Sequence, residues 1–541
     1  MKKLFTIVFV FAFLGIYAQD IAITEDDFLR GSVTPERSWW DLTFYHLDVT
    51  VDPENKAISG SNLIQFTALK NGSILQIDLQ PPLKIEKIIA QNEELAYKKI
   101  GTNAYHVLFN EEIQKGQTQQ IKVYYSGKPK EAVRAPWDGG FSWKKDQNGK
   151  PFIATSCQGL GASVWWPCKD HMYDEVDSMA ISVTVPKNLM DVSNGKLRKV
   201  EENDTSKTYH WFVDNPINNY GVNVNIGDYA QWSETYNGEG GDLALDYFVL
   251  KDNLNKAKEQ FKQTPKMLEA FEYWFGPYPF YKDGFKLVEV PYLGMEHQSS
   301  VTYGNKFQNG YLGRDLSGTG WGLKFDFIII HEAGHEWFAN NITYKDAADM
   351  WIHEGFTAYS ENLYLDYHFG TKAAEDYVIG TRANIRNDKP IIGRYNLNME
   401  GSGDMYYKGA NIIHTIRQMV NDDDKWREIL RGLNKDFYHQ TVTTQQIENY
   451  IIKKSGLDLK AFFDQYLRTI KIPVLEYQYD GKKLKYRFTN TDTDFSIPVK
   501  VYVDTNPIWI KPTSNWNVLK QKGKAFSIDR NFYIESKSIT D

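Results

Sequence analysis

The spacing of apolar residues changes period twice along this chain, and that change constrains the fold more than any other feature. From about residue 38 to 245 the period is two: Tyr45, Leu47, Val49 and Val51 alternate with polar neighbours, and Val222, Val224 and Ile226 do the same. Alternation gives a strand one apolar face, so this stretch predicts antiparallel sheets buried on one side. Asn71-Gly72 and Asn148-Gly149 supply turns between the strands. Gly238-Glu239-Gly240-Gly241 interrupts the pattern and is expected to mark a domain boundary. Helical spacing follows. Leu254 to Phe275 predicts a helix stopped by Gly276-Pro277, and Ala347 to Phe369 predicts a second. Thr443-Thr444-Gln445-Gln446 has the form of a helix start ahead of Ile447, Tyr450 and Ile451, and Leu459 to Leu467 predicts one more helix. After Pro473 the period returns to two, at Phe495, Ile497, Val499, Val501 and Val503.

A chain of 541 residues exceeds what a single core covers. The expectation is a multidomain α+β protein. It comprises an N-terminal β domain over residues 19–245, a mostly helical domain over 246–472 and a small β-sandwich over 473–541. Residues 1–18 have the layout of a secretory signal: Lys2 and Lys3, an apolar run from Leu4 to Tyr17, and Ala18 before the cut. The run is shorter than the ~20 residues that span a bilayer. An exported protein, periplasmic or secreted and not inserted in the membrane after cleavage, is expected. Removing the leader takes two lysines and no acid, which moves the net charge from −7 to −9. Such an acidic chain without basic clusters argues against nucleic acid as a partner. Cys157 and Cys168 are the only cysteines. In an oxidising compartment they are free to pair, and a disulfide and two buried thiols both stay open.

Within the helical stretch lies His331-Glu332-Ala333-Gly334-His335. On a helix, residues four apart stand one above the other with Cβ atoms ~5–6 Å apart, so both imidazoles converge on one Zn²⁺. Glu332 points off that line, within reach of a metal-bound water as its base. The apolar spacing continues from Ile328 through Trp337 and Phe338, which predicts that the helix does too. Glu354 lies nineteen residues past His335, on the next helix, and supplies a third ligand; His353, rotated by about 100°, does not. Glu361 shares a face with Glu354 and is expected to receive the ring N–H of His335. Three protein ligands leave a position open, which is the arrangement of a catalytic rather than structural zinc. The chemistry implied is metal-assisted hydrolysis of a carbonyl compound, most simply a peptide.

With their surroundings, these residues resemble the aminopeptidase N and leukotriene hydrolase family of zinc metallopeptidases, the gluzincin aminopeptidases. His331, Glu332, His335 and Glu354 match its H-E-x-x-H and downstream Glu, and Trp351-Ile352-His353-Glu354-Gly355 matches its W-L-N-E-G with His353 in place of Asn. Leu293-Gly294-Met295-Glu296-His297 resembles its exopeptidase signature G-x-M-E-N, again with His for Asn. The resemblance implies that Gly294, Met295 and Glu296 bind substrate, Glu296 pairing with the α-amine. Tyr406-Tyr407-Lys408-Gly409-Ala410 resembles Y-x-K-G-A, which implies that Tyr406 hydrogen-bonds the oxyanion. Ser156-Cys157-Gln158 resembles the strand that contributes a second amine-binding residue, here Gln158. The family fold implied is a saddle-type β domain, a thermolysin-like catalytic domain and a small β domain, with one Zn²⁺ per chain. The β-patterned tail after Pro473 departs from the large helical C-terminal domains of aminopeptidase N relatives and leukotriene hydrolases. The family's C-terminal basic residues, which read a substrate carboxylate, have no obvious counterpart.

The leading reading is therefore a zinc aminopeptidase acting on peptides with a free N-terminus. A thermolysin-type endopeptidase shares every zinc residue and has no need of Glu296. A non-catalytic module holding peptide or glycan on aromatic surfaces is the reading from another class, and the joint presence of Glu332 and Tyr406 opposes it. Side-chain preference, peptide length and oligomeric state have no signal in the sequence.

Overall fold

The computed structural model describes residues 23–492 and 494–539; the expected leader, residues 1–18, lies outside them. The N-terminal half is built on an eight-stranded sheet. At its centre Trp40–Asp52 pairs antiparallel with Ala57–Ala68 and parallel with Ser178–Pro186. Tyr45, Leu47, Val49 and Val51 all face inward, as their alternation requires. A three-stranded and a four-stranded sheet complete this half. Trp40, Trp165 and Trp166 are fully buried in its core. Cys157 and Cys168 are free, buried thiols, and burial pushes both thiol pKa values up.

Gly238–Gly241 is not a linker. It closes a hairpin between Tyr229–Gly238 and Gly241–Leu250, so the expected boundary at residue 245 falls inside a strand. That strand pairs in parallel with Phe285–Glu289, which pairs with Val301–Tyr303 and so leads to Gly294–Met295. The misreading has a simple cause: glycines close a tight turn as readily as they loosen a linker. Leu254 to Phe275 also differs from expectation, forming two helices, Leu254–Gln260 and Gln263–Phe275. Pro265 has no N–H to donate, so it sits in the first turn of the second helix rather than inside a continuous one.

Helices Phe327–Gly334, Trp351–Phe369 and Tyr407–Val420 contribute to a second core, which includes Trp337, Trp351 and Trp426. Thr443 caps Thr444–Ser455 through a reciprocal box with Gln446, and Lys460–Arg468 follows. The C-terminal part has a four-stranded and a three-stranded sheet, with Phe495, Ile497, Val499, Val501 and Val503 buried. Met295 packs into the N-terminal core while Val301, one strand away, packs into the helical one. The Glu296 segment thus lies where the two cores meet. Among the described residues no helix is long and apolar enough to cross a membrane.

Candidate active site

The helix that carries His331 starts at Asp326. Its carboxylate accepts the N–H groups of Ile328 (3.1 Å) and Ile329 (3.4 Å), satisfying two of the free donors at a helix start. Tyr303, Asn305 and Gln260 also donate to Asp326, at 2.7, 2.8 and 2.7 Å. The α-helix ends at Gly334 and the chain runs on as a short π-helical segment, Glu336–Asn341, so helical geometry continues through Trp337 and is left at Phe338 and Ala339. The departure has a use: the freed Phe338 carbonyl lies 3.0 Å from His335 Nδ1.

His335 meets Glu354 and Thr357 on helix Trp351–Phe369, whereas His331 meets Glu361, so the two helices run antiparallel. Glu361 therefore holds His331 and not His335, its Oε1 lying 2.8 Å from His331 Nδ1. Two turns forward from Glu354 is a step back along the antiparallel partner, from His335 to His331. Tyr377 donates to the other Glu361 oxygen. His353 turns away from the site; its Nε2 accepts from the Tyr344 N–H at 2.9 Å.

With Nδ1 of each histidine donating, to Glu361 and to the Phe338 carbonyl, the Nε2 lone pair of each is left on the side of Glu354. Glu354 Oε2 lies 3.7 Å from His331 Nε2 and 3.4 Å from His335 Nε2. That oxygen is buried and has no hydrogen-bond partner. The separations approach the ~3.3 Å edge of a tetrahedron with arms of ~2.0–2.1 Å. Two neutral imidazole nitrogens and a carboxylate oxygen, deprived of other partners and this close, fit Zn²⁺.

Glu332 lies on the same helix, 8% exposed at the cleft. Burial, opposed by His331 and reinforced by Glu296, pushes its carboxyl up to about 7. Strand Gly294–Met295 comes so near that a Cβ on Gly294 would meet Ile328 Cγ2 at 2.6 Å and Glu332 Cγ at 3.2 Å. Only glycine permits that approach, which brings Glu296 beside the histidines. Atoms of Glu296, Glu332 and His335 all lie within 4.8 Å of one another. Gln158 Nε2 donates to Glu296 Oε1 at 2.6 Å and to Glu354 Oε1 at 3.1 Å. Because both partners are acceptors, the amide is oriented with Oε1 away from them. Tyr220 donates to Glu296 Oε1 at 3.3 Å, and Asn340 holds the Glu296 carbonyl at 2.9 Å.

Tyr406 stands at the start of helix Tyr407–Val420, its ring stacked 5.9 Å from that of His331. A Cβ on Gly409 would lie 2.9 Å from Gly355 Cα, so the two helices touch backbone to backbone beside Glu354. Burial and the nearby Glu354 carboxylate raise the Tyr406 phenol pKa well above its ordinary value, which keeps it a hydrogen-bond donor. Tyr407 lines the cleft as well.

These side chains open on a cleft of ≈ 1380 Å³. Trp137, 68% exposed, stands at its rim, and Arg386, Lys389, Arg394 and Glu400 line it too. The structure thus gathers His331, His335, Glu354, Glu332, Glu296, Gln158, Gly294, Met295 and Tyr406 around one cleft, with Glu361 behind it. Sequence reasoning missed Tyr220, Asn340, Thr357 and Tyr377. Only Thr357 had a signal, three residues past Glu354 on the same helical face.

Residues 259–466 match the Peptidase family M1 domain, and residues 42–220 match the Peptidase M1 N-terminal domain. The chain is 24% identical over 376 residues to tricorn protease-interacting factor F2 of Thermoplasma volcanium, covering 64% of this chain and 46% of that protein. It is 21% identical to probable aminopeptidase 1 of Sulfurisphaera tokodaii, over 78% of this chain and 54% of that one. Leukotriene A-4 hydrolase of Xenopus laevis is 21% identical, over 83% and 74%. The chain spans about half the length of the two archaeal relatives. In fold it resembles the M1 zinc metallopeptidase of Deinococcus radiodurans, with a TM-score of 0.70 and 19% identity, over 82% of this chain and 98% of that one.

Proposed function

We propose, for a chain that belongs to peptidase family M1, that it is a zinc-dependent aminopeptidase removing the N-terminal residue from peptides. One observation carries this reading. Gln158 Nε2 touches both Glu296 and the expected zinc ligand Glu354, at 2.6 and 3.1 Å. The acidic end of the cleft is thus about one residue's length from the metal-binding atoms. Glu296 pairs with a substrate α-ammonium there, Tyr220 holds the carboxylate in place, and Gln158 completes the amine-binding end through its contact with Glu296. With the amine held at Glu296, the first peptide bond is the one presented to the metal-binding atoms.

His331, His335 and Glu354 would hold Zn²⁺, which when bound would supply Lewis acidity at that carbonyl and acidify the attacking water. Glu332 takes the proton from the attacking water and passes it to the leaving nitrogen. Tyr406 donates its hydroxyl hydrogen to the oxygen that gains charge. Glu361 and the Phe338 carbonyl hold the two imidazoles in the Nδ1–H tautomer.

Chromogenic aminoacyl substrates, free and N-acetylated, test the reading with and without a zinc chelator. Cleavage confined to the free amine and abolished by chelation is expected. Equal rates on both forms would remove the amine anchor and favour an endopeptidase. The apolar run after Lys2 and Lys3 further supports export with cleavage after Ala18, and N-terminal sequencing of material recovered outside the cytoplasm checks it.

A further inference from the structure

A short helix, Glu25–Gly31, precedes every strand of the N-terminal sheets. Thr24 and Asp27 close its start with a capping box. Buried Arg37 takes up its last carbonyls: Nη1 lies 2.7 Å from Leu29 O, 3.1 Å from Arg30 O and 2.9 Å from Ser32 O, while Nη2 pairs with Asp78 at 2.7 Å. His171 Nε2 is 3.1 Å from Gly31 O. A helix this short has little stability of its own, so these ties fix its position.

From that position Arg30 Nη2 donates to the Gly159 carbonyl at 2.6 Å. Asn398 Nδ2 reaches the same oxygen from the catalytic half of the chain, at 3.1 Å. The neighbouring carbonyls are engaged elsewhere: Gln158 O accepts from Leu160 N and Leu160 O from Gln80 Nε2, both at 2.7 Å. The helix end also touches the Asn398 segment, since a Cβ on Gly31 would lie 2.1 Å from Asn398 N. Three distant stretches of chain thus meet on the Gly159–Leu160 peptide group, one residue beyond Gln158, the residue that bridges Glu296 and Glu354.

We infer that Arg30 and Asn398 are positioning residues for the amine end of the cleft, acting through the Gly159 carbonyl on Gln158. This rests on the reading of Gln158 as an amine-binding residue. A charged donor makes a stronger hydrogen bond than a neutral one, so Arg30 is the firmer of the two clamps. Without it the 158–160 turn loses its outer anchor, and the Gln158 amide spends less time against the two carboxylates. Amine capture weakens while the groups at the scissile bond stay in place.

Kinetics of a free aminoacyl chromogenic substrate test this on the zinc-loaded protein, with zinc content and melting temperature followed alongside. Arg30→Ala is expected to raise KM about fivefold, the scale of one lost hydrogen bond, and Asn398→Ala by less, about twofold, each with kcat within about twofold. Arg30→Lys, which keeps a charged donor, should recover part of the loss. Gln158→Ala should raise KM, and adding Arg30→Ala to it should raise KM no further. If Gln158→Ala raises KM and Arg30→Ala does not, the positioning role is overturned while the amine-binding reading stands. If the two effects multiply, Arg30 acts by another route and the inference is equally overturned. If Gln158→Ala leaves KM unchanged, the amine-binding reading of Gln158 fails and takes this inference with it.

Discussion

Glu361 Oε1 lies 2.8 Å from His331 Nδ1, thirty residues away in sequence, and both side chains are almost completely buried. The carboxylate fixes the tautomer that points Nε2 at the metal-binding atoms and raises the basicity of the ring. Glu361→Ala is therefore expected to weaken zinc binding by about 10–100-fold, read by competition with a chromogenic chelator. Unchanged zinc affinity would reduce Glu361 to a buried packing residue.

Glu332 is adjacent to His331 in sequence and stands beside Glu296 and His335 without belonging to the His331, His335 and Glu354 set, so its loss should separate binding from turnover. Glu332→Gln keeps the volume and removes the base. Zinc content should remain near one per chain while kcat falls by about 10²–10⁴-fold. A variant that turns over at the wild-type rate would exclude Glu332 as the proton carrier.

Asp326 offers a pH test away from the cleft. Burial pushes its carboxyl up to about 6, against hydrogen bonds from Gln260, Tyr303 and Asn305 that favour ionisation. A folded-state pKa above the unfolded one means that ionising Asp326 costs the folded state more than the unfolded chain. Its contribution to stability is greatest below the unfolded pKa and declines as pH rises through about 6. Asp326→Asn has no charge to lose and keeps a capping oxygen. The stability of wild type relative to this variant should therefore fall between pH 4 and pH 7, measured as urea midpoints of both proteins. A relative stability that rises over that interval would contradict the burial argument.

The sequence carried the site further than it carried the frame. The His331–His335 spacing is local helix geometry and so was readable from periodicity, while Glu354 was legible only as a carboxylate on the next helix. Glu361 was legible as a residue on the right face, but which histidine it serves depends on the relative direction of two helices. Spacing does not encode that direction. Gln158 and Tyr220 reach Glu296 from a separate β domain, across 138 and 76 residues, and no periodicity reports such contacts. The alternating strands at Tyr45 to Val51 and Val499 to Val503 were legible because one face is buried. The Gly238–Gly241 hairpin was not, since a turn and a linker share a composition.

Tyr406 and Tyr407 differ by one position and a helical rotation of about 100°, and the structure separates them sharply. Tyr406 stacks on His331, and its phenol is held protonated by burial and by Glu354. On the proposed reading its hydroxyl donates to the carbonyl of a substrate anchored at Glu296. Tyr406→Phe keeps the ring and its stacking and removes only that donor. Because the hydrogen bond strengthens as charge develops on oxygen, its loss should fall on kcat, by about 10²–10³-fold, with KM within about twofold. Tyr407→Phe, as the neighbouring control, should change kcat by less than about twofold. Equal losses in the two variants would mean that the pair acts through packing of helix Tyr407–Val420, and that the oxyanion donor lies elsewhere in the cleft.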